Sequence, residues 1–427
     1  MKTPFQKNIK FIGETFFLPV VWVLFFILLF RVLSRYPVGI LTDVCEISFI
    51  AILFLISAFE FFRSLLAKKI DLLFLLLLPL AFVPFLSALQ AKKVFSQPPL
   101  YGIATQREIY LFLGAYFIVK ALVRGWVSLK NLERYFLYSL VFICFIILYF
   151  YIFVNPATYA GTEFVQYVLT KGWLFKFPSS IAAGIIFYSL IKIWRENNYL
   201  YYAHLMCGVI LFVVFIQDRS QIAFIGVTSA ILFLKDLNLQ RKIVNLFYSV
   251  ILLVFAAFIV VTIKPDLFDK YVQLYKNATA IFTGDNPHES STRVRFYESA
   301  IAFRGLKAHY LLGSGILSGR WNDGYLGRFG YFYPADIGLL GNLYVYGIIG
   351  TLFFYIPIIA AFWWAWEMRR YRNTFYLTIL YMLVFIVFDM FTAASNIIFI
   401  GQPMFCVGVI YYYRFYVYKP ELQLSPA

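Results

Sequence analysis

Histidine and cysteine are nearly missing from this chain. The three histidines (His204, His288, His309) stand at unrelated positions, which argues against a structural zinc site. The four cysteines (Cys45, Cys144, Cys207, Cys406) all fall inside apolar stretches. That is the setting of small core residues and not of a disulfide frame. Charge is scarce as well, at 14% of residues against 62% hydrophobic, and the mean hydropathy is +0.78. Soluble domains run near half apolar and a quarter charged, so an ordinary soluble protein is excluded. No repeat of fixed period and no low-complexity tract occurs, and the two halves lack the likeness seen in many carriers. No cleavable signal peptide is expected, because the first apolar run, Phe16 to Leu33, has full span length and no small-residue cleavage site follows it.

What the chain has is long apolar runs. A membrane crossing takes about 20 helical residues, and backbone groups in lipid must bond within their own segment. The runs predict an all-α integral membrane protein with about twelve spans, near 16–34, 44–62, 70–90, 108–123, 135–155, 175–194, 199–216, 219–235, 243–263, 337–366, 374–392 and 396–414. The segment 156–174 is expected to be a short interfacial or re-entrant piece. Three regions follow: an N-terminal bundle of about nine helices over 1–263, a polar loop with amphipathic helices over 264–336, and C-terminal spans with a short tail over 337–427.

A net charge of +16 would suggest nucleic acid in a soluble protein. Here the cations alternate between loops, so no nucleic-acid partner is expected. Lys2, Lys7 and Lys10; Arg63, Lys68 and Lys69; Arg124, Lys130 and Arg134; Lys192 and Arg195; Lys235, Arg241 and Lys242; Arg369, Arg370 and Arg372; and Arg414 and Lys419 fall on one side. The opposite short loops are poorer, Lys92 and Lys93 being the main exception. Cationic loops resist translocation, which puts both termini in the cytoplasm and the 264–336 loop outside. Tyrosines at span ends, such as Tyr411–Tyr413, read as interfacial belt residues.

Three polar elements then converge on the outer side. Gln217-Asp-Arg-Ser-Gln221 is a tight break between two spans, and Arg219 there is either a snorkelling cation or a ligand for an anionic group. Arg293 and Arg295 in Ser290–Ala300, with Arg304, Lys307 and Arg320 beyond, belong to a segment whose apolar positions predict an amphipathic helix on the membrane. A basic solvated face is the plain reading. A guanidinium is also the group best shaped to grip a diphosphate through two parallel hydrogen bonds. Asp336, just before the tenth span, is placed to cap that helix or to take a proton from a hydroxyl at the membrane surface. Asp389, inside a span, is the rival base. Glu298 and Glu289 read as partners of nearby arginines, His309 as an interfacial residue, and Gly313-Ser-Gly315 as a turn.

The chain resembles the O-antigen ligase and Wzy-type polysaccharide polymerase superfamily of bacterial inner membranes. The resemblance rests on the span number, on Arg219-Ser220 opening a mid-chain span, and on a large loop with Arg293, Tyr297 and Ala300 followed by Gly313 and Gly315. It rests also on a span-opening motif in which nine residues separate Asp336-Ile337 from Gly347-Ile-Ile-Gly350. Ligases carry His-Asn where this chain has Asp-Ile, which tilts the resemblance toward a polymerase. It implies a metal-independent, cofactor-free, inverting glycosyltransferase acting at the periplasmic face of the inner membrane. The donor would be a glycan on undecaprenyl diphosphate, and the acceptor another lipid-linked unit. Arg219 and Arg293 would hold the diphosphate and Asp336 would assist the acceptor hydroxyl. Arg295, Arg304, Arg320, Tyr297, Tyr333 and Asp389 would complete the substrate site. Membrane lipids, and a chain-length regulator, are the further partners it suggests. A ligase transferring the finished glycan to lipid A core is the near alternative, and a lipid-linked sugar transporter the distant one.

Overall fold

The computed structural model describes residues 18–32, 40–68, 71–160, 165–168, 172–177, 179–196, 198, 200–216, 219–236, 262, 290–393 and 399–418. The expected span 243–263 (Thr262 apart), residues 264–289 with His288 and Glu289, and the tail from Lys419 lie outside them.

The described chain is predominantly helical: α1 Leu18–Leu29, α2 Ile40–Leu66, α3 Leu72–Phe95, the short α4 Pro99–Thr105, a tight 3-10 turn Arg107–Phe112 running into α5 Leu113–Val123, and α6 Leu129–Phe153. After these come α7 Ala183–Glu196, α8 Tyr201–Ile210 with a wider π turn Leu211–Ile216, α9 Arg219–Asp236, α10 Ser290–Ala308, α11 Gly324–Phe329, a 3-10 turn Pro334–Ile337, α12 Gly338–Glu367, α13 Thr374–Thr392, and α14 Gly401–Tyr412. Five helices are long and apolar enough to cross a membrane, and their best windows are only 28–67% buried, as lipid-facing helices require. The expected interfacial piece at 156–174 contains an antiparallel hairpin, Val165–Val168 with Gly172–Phe175, so the described fold is not purely helical.

Local chemistry explains the helix starts. Asp71, Ser128 and Asn373 each sit in extended backbone and accept an N–H of the first turn, which caps α3, α6 and α13. The centre is aromatic: Phe26 of α1, Phe136 of α6 and Phe405 of α14 form one cluster with ring centroids 5.0–5.6 Å apart. That spacing suits edge-to-face packing. Around it α14 packs on α5, α12 and α13, while α3 packs on α12.

Charged residues gather at two ends of this bundle. At one end Lys120 Nζ meets Asp71 at 2.7 Å, Arg124 meets Glu60 at 2.7 Å, and Lys192 meets Glu196 at 2.7 Å. The expected belt tyrosines Tyr411 and Tyr413 are buried there instead, because their hydroxyls donate to Asp71 and Asn373. Cys144 and Cys406 are buried as expected, whereas Cys45 is exposed on α2; all four cysteines are free.

Helix α12 is two helices joined at Gly347, which holds φ 63° and ψ −170°, a conformation open essentially to glycine. The segment 310–315 fills the break. The Ser314 and Gly315 N–H groups donate to the carbonyls of Tyr344 and Val345, and those of Ile348 and Ile349 donate to Tyr310 and Leu311. Gly313-Ser-Gly315 is therefore more than a turn: it is a backbone seam. A Cβ on Gly313 would lie 2.4 Å from the Val345 carbonyl, and one on Gly315 2.3 Å from the Ala91 nitrogen of α3.

Candidate functional site

The end of the bundle opposite the Lys120–Asp71 pair is roofed by residues 290–337. This roof has its own aromatic core of Tyr325, Phe329, Phe332 and Tyr344, with Phe332 and Tyr344 centroids 5.1 Å apart. Gln97 anchors it on α3, accepting the Ser318 N–H at 2.7 Å and donating to the Ile316 carbonyl at 3.0 Å. Ser87, one helical stretch earlier, accepts the Ile316 N–H.

Helix α10 crosses this roof. Its inner face carries Glu298, Ile301 and Ala302, all buried. Gly305 on that face lies so close to the Tyr344 ring that a Cβ would come within 2.3 Å. The amphipathic helix expected on the membrane thus packs its inner face on the protein, against α12 and the Pro334–Ile337 turn. Phe296 and Phe303 stand exposed on the other face.

Glu298 is the hinge of the site. Its Oε1 accepts the Tyr333 N–H at 2.9 Å, and the Tyr333 carbonyl accepts the Asp336 N–H at 2.9 Å. Glu298 was expected to partner an arginine; its hydrogen bond goes to the backbone of the turn instead. Burial pushes the Glu298 carboxyl above the usual carboxylate range; the Tyr333 N–H opposes the shift, Asp336 adds to it and Arg295 again opposes it. Tyr331 is raised too, by burial and then by Asp336 and Glu298. Its ring meets that of Tyr333 edge to face at 5.3 Å, and both rings are about half exposed.

Asp336 does not cap α12. It lies inside the 3-10 turn, and the helix start at Ile337 has no side-chain cap. The Asp336 residue is exposed, and the carboxylate charge is felt by both Glu298 and Tyr331. A Cβ on Gly338 would touch the Phe391 carbonyl at 2.2 Å, so the turn sits hard against the end of α13, two residues beyond the buried Asp389. Helix α9 reaches the same place. Phe224 stacks on Phe388, the neighbour of Asp389, at 5.8 Å, which sets Arg219, the first residue of α9, at this end of the bundle.

Helix α9, which begins at Arg219, packs on α13, which carries Asp389 and abuts the turn of Asp336. The same turn packs on α10, which carries Arg293, so α13 and the turn link positions that span 170 residues of sequence. The side chains of Arg219 and Arg293 lie outside the described ones. Arg295 joins the Glu298–Asp336 group electrostatically, and the Tyr297 hydroxyl donates to the Phe329 carbonyl at 3.2 Å. Arg304 is exposed on α10 and donates to its own helix at Ala300. Arg320 stands apart from these carboxylates, 3.5 Å from Asp43.

Asp43 belongs to a cluster that sequence reading passed over. Arg107 bonds both Asp43 and Glu46, Arg31 bonds Glu46 at 2.5 Å, and Arg31 lies 3.8 Å from Glu108. It knits the end of α1, α2 and the Arg107–Phe112 turn, and with Arg320 its three guanidiniums match its three acids in number. The signal available was the rarity of acids inside apolar runs. An apolar groove of about 520 Å³ opens elsewhere, between α6, α7 and α8, lined by Val141, Phe145, Ile185 and His204.

No protein-family model matches the chain, and no curated protein matches it.

Proposed function

We propose that this protein is a glycosyltransferase that polymerises lipid-linked oligosaccharide repeat units at the periplasmic face of a bacterial inner membrane. The topology that goes with it has twelve spans, both termini in the cytoplasm and residues 264–336 outside. One observation carries the reading. The chain elements bearing Arg219, Arg293 and Asp336, far apart in sequence, are linked through α13 at the bundle end where exposed Tyr331 and Tyr333 stand beside Glu298 and Asp336.

That arrangement suits transfer from a diphosphate. The acceptor hydroxyl oxygen bonds to the anomeric carbon as the bond from that carbon to the diphosphate breaks, and undecaprenyl diphosphate leaves. Asp336 receives the hydroxyl proton. Arg219 and Arg293 neutralise the charge that grows on the departing oxygen, the term fixed cations in a partly dried site supply best. Arg295 lies beside the carboxylates, and Tyr297, Tyr331 and Tyr333 offer ring faces to a sugar. Holding two lipid-anchored reactants in one cleft lowers the orientational barrier. A single displacement inverts the anomeric centre.

The test is complementation of a deletion strain by Arg219→Ala, Arg293→Ala and Asp336→Asn, scored by glycan ladder with expression checked. Loss of the ladder in all three is expected, and Arg→Lys at either arginine should restore little, since an ammonium lacks the two-pronged fork. Full ladders in the arginine variants would sink the reading. Long chains left on the lipid carrier in the deletion strain would move it to a ligase.

A further inference from the structure

We propose that Glu298 is a positioning residue for Asp336: the two carboxylates form a coupled pair that holds one proton, and the sealed member keeps the exposed one in its working state. This rests on the glycosyl-transfer reading above and adds a residue to it.

The geometry is specific. Glu298 is 1% exposed and projects from α10 into the turn that carries Asp336. Its Oε1 is committed to the Tyr333 N–H. Its Oε2 is buried and, among the described residues, has no hydrogen-bond partner. A buried oxygen left this way is costly as part of a carboxylate and tolerable as the O–H of a neutral acid. Tyr333 gives its N–H to the Glu298 carboxyl and takes the Asp336 backbone N–H at its carbonyl, so Glu298 fixes the turn that presents Asp336. Among the described residues, Asp336 and Arg295 face Glu298, with Tyr331 and Tyr333 alongside. Two carboxyls that interact this way lose their protons in two separate macroscopic steps.

The chemistry follows. With Glu298 neutral, Asp336 carries the charge and takes the proton of the acceptor hydroxyl as the new glycosidic bond forms. Glu298 keeps its own proton throughout. Once Glu298 also ionises, the doubled negative charge repels the diphosphate that the arginines must hold, and transfer slows. The rate therefore rises with the first deprotonation of the pair and falls with the second.

The experiment compares pH–rate profiles of purified full-length wild type, Glu298→Gln, Glu298→Asp and Asp336→Asn, with undecaprenyl-diphosphate-linked repeat units as substrate. Wild type should be bell-shaped. Glu298→Gln, which cannot ionise, should keep the acid limb and lose the alkaline fall. Glu298→Asp should restore a bell, and Asp336→Asn should fall by about 10²-fold or more at every pH. An unchanged bell in Glu298→Gln overturns the proposal. A second readout needs no substrate: the wild-type minus Glu298→Gln infrared difference spectrum should show the carbonyl band of one protonated carboxyl, fading as pH rises. A difference spectrum without that band also overturns the pair. An intact band with no glycan transfer by wild type overturns the functional reading instead.

Discussion

Gln97 holds Ser318 and Ile316 at once, its Oε1 taking the Ser318 N–H at 2.7 Å and its Nε2 giving to the Ile316 carbonyl at 3.0 Å. The side chain is fully buried, so no water replaces it when it is cut away. Gln97→Ala should cost on the order of 2–4 kcal/mol, since two buried backbone groups lose their partners. A lower Tm in detergent, with faster proteolysis between Ile316 and Gly330, is the expected result. Unchanged protease resistance would show that the aromatic core holds the roof without this clamp.

Gly347→Ala should be far worse than its size suggests. The backbone there is at φ 63°, and the new Cβ would meet the Leu311 carbonyl at 2.3 Å. Strain of about 1–3 kcal/mol adds to the clash. Gly319→Ala, with nothing within 4 Å, should change stability by less than about 0.5 kcal/mol. Similar yields and Tm values for both variants would refute the seam's importance.

Removing one partner of the Lys120–Asp71 pair should destabilise strongly. Lys120 and Asp71 side chains are only 10% and 7% exposed, and Asp71 also caps α3 and receives the Tyr411 hydroxyl. Lys120→Met should cost about 3–5 kcal/mol, because it strands a buried carboxylate. The double variant Asp71→Asn, Lys120→Met should recover part of the loss. A double-mutant cycle on Tm with no coupling would contradict this.

Stability should fall as pH rises through the titration of Glu298. Its folded-state carboxyl lies above the ordinary range because burial disfavours the charge, so the folded form binds more protons than the unfolded chain in that window. The stabilisation is complete below the ordinary carboxyl pKa of about 4.3 and is lost as pH climbs through the raised folded value. Glu298→Gln should remove that component of the pH dependence. Parallel Tm-versus-pH curves for the two proteins would count against it.

Arg320→Ala should leave the ladder largely intact and cost less than about 1 kcal/mol, since an exposed arginine 3.5 Å from Asp43 contributes little. Arg295→Ala should shorten the ladder. The opposite ranking, read from glycan gels at matched expression, would return Arg320 to the substrate site.

Much of this arrangement was legible in the chain. Apolar runs mark the helices because lipid leaves the backbone no other partner. The packing of α9 on α13, and of α13 on the turn of Asp336, has no local signature in the sequence. The bond from the Tyr333 N–H to Glu298, 35 positions away, is invisible in sequence, as is the pairing of Arg320 with Asp43, 277 positions off. Gly347 passed as half of a motif, and nothing nearby announces that another strand of chain fills the gap it opens.

That gap governs how a reactant gets in. Four backbone bonds stitch residues 310–315 into α12, and at about 1 kcal/mol each they would all have to open for the roof to swing away like a flap. The roof is accordingly a fixed one. Asp336 lies exposed on it beside the half-exposed rings of Tyr331 and Tyr333, so on the reading proposed above a lipid-borne sugar reaches it without any lid having to lift.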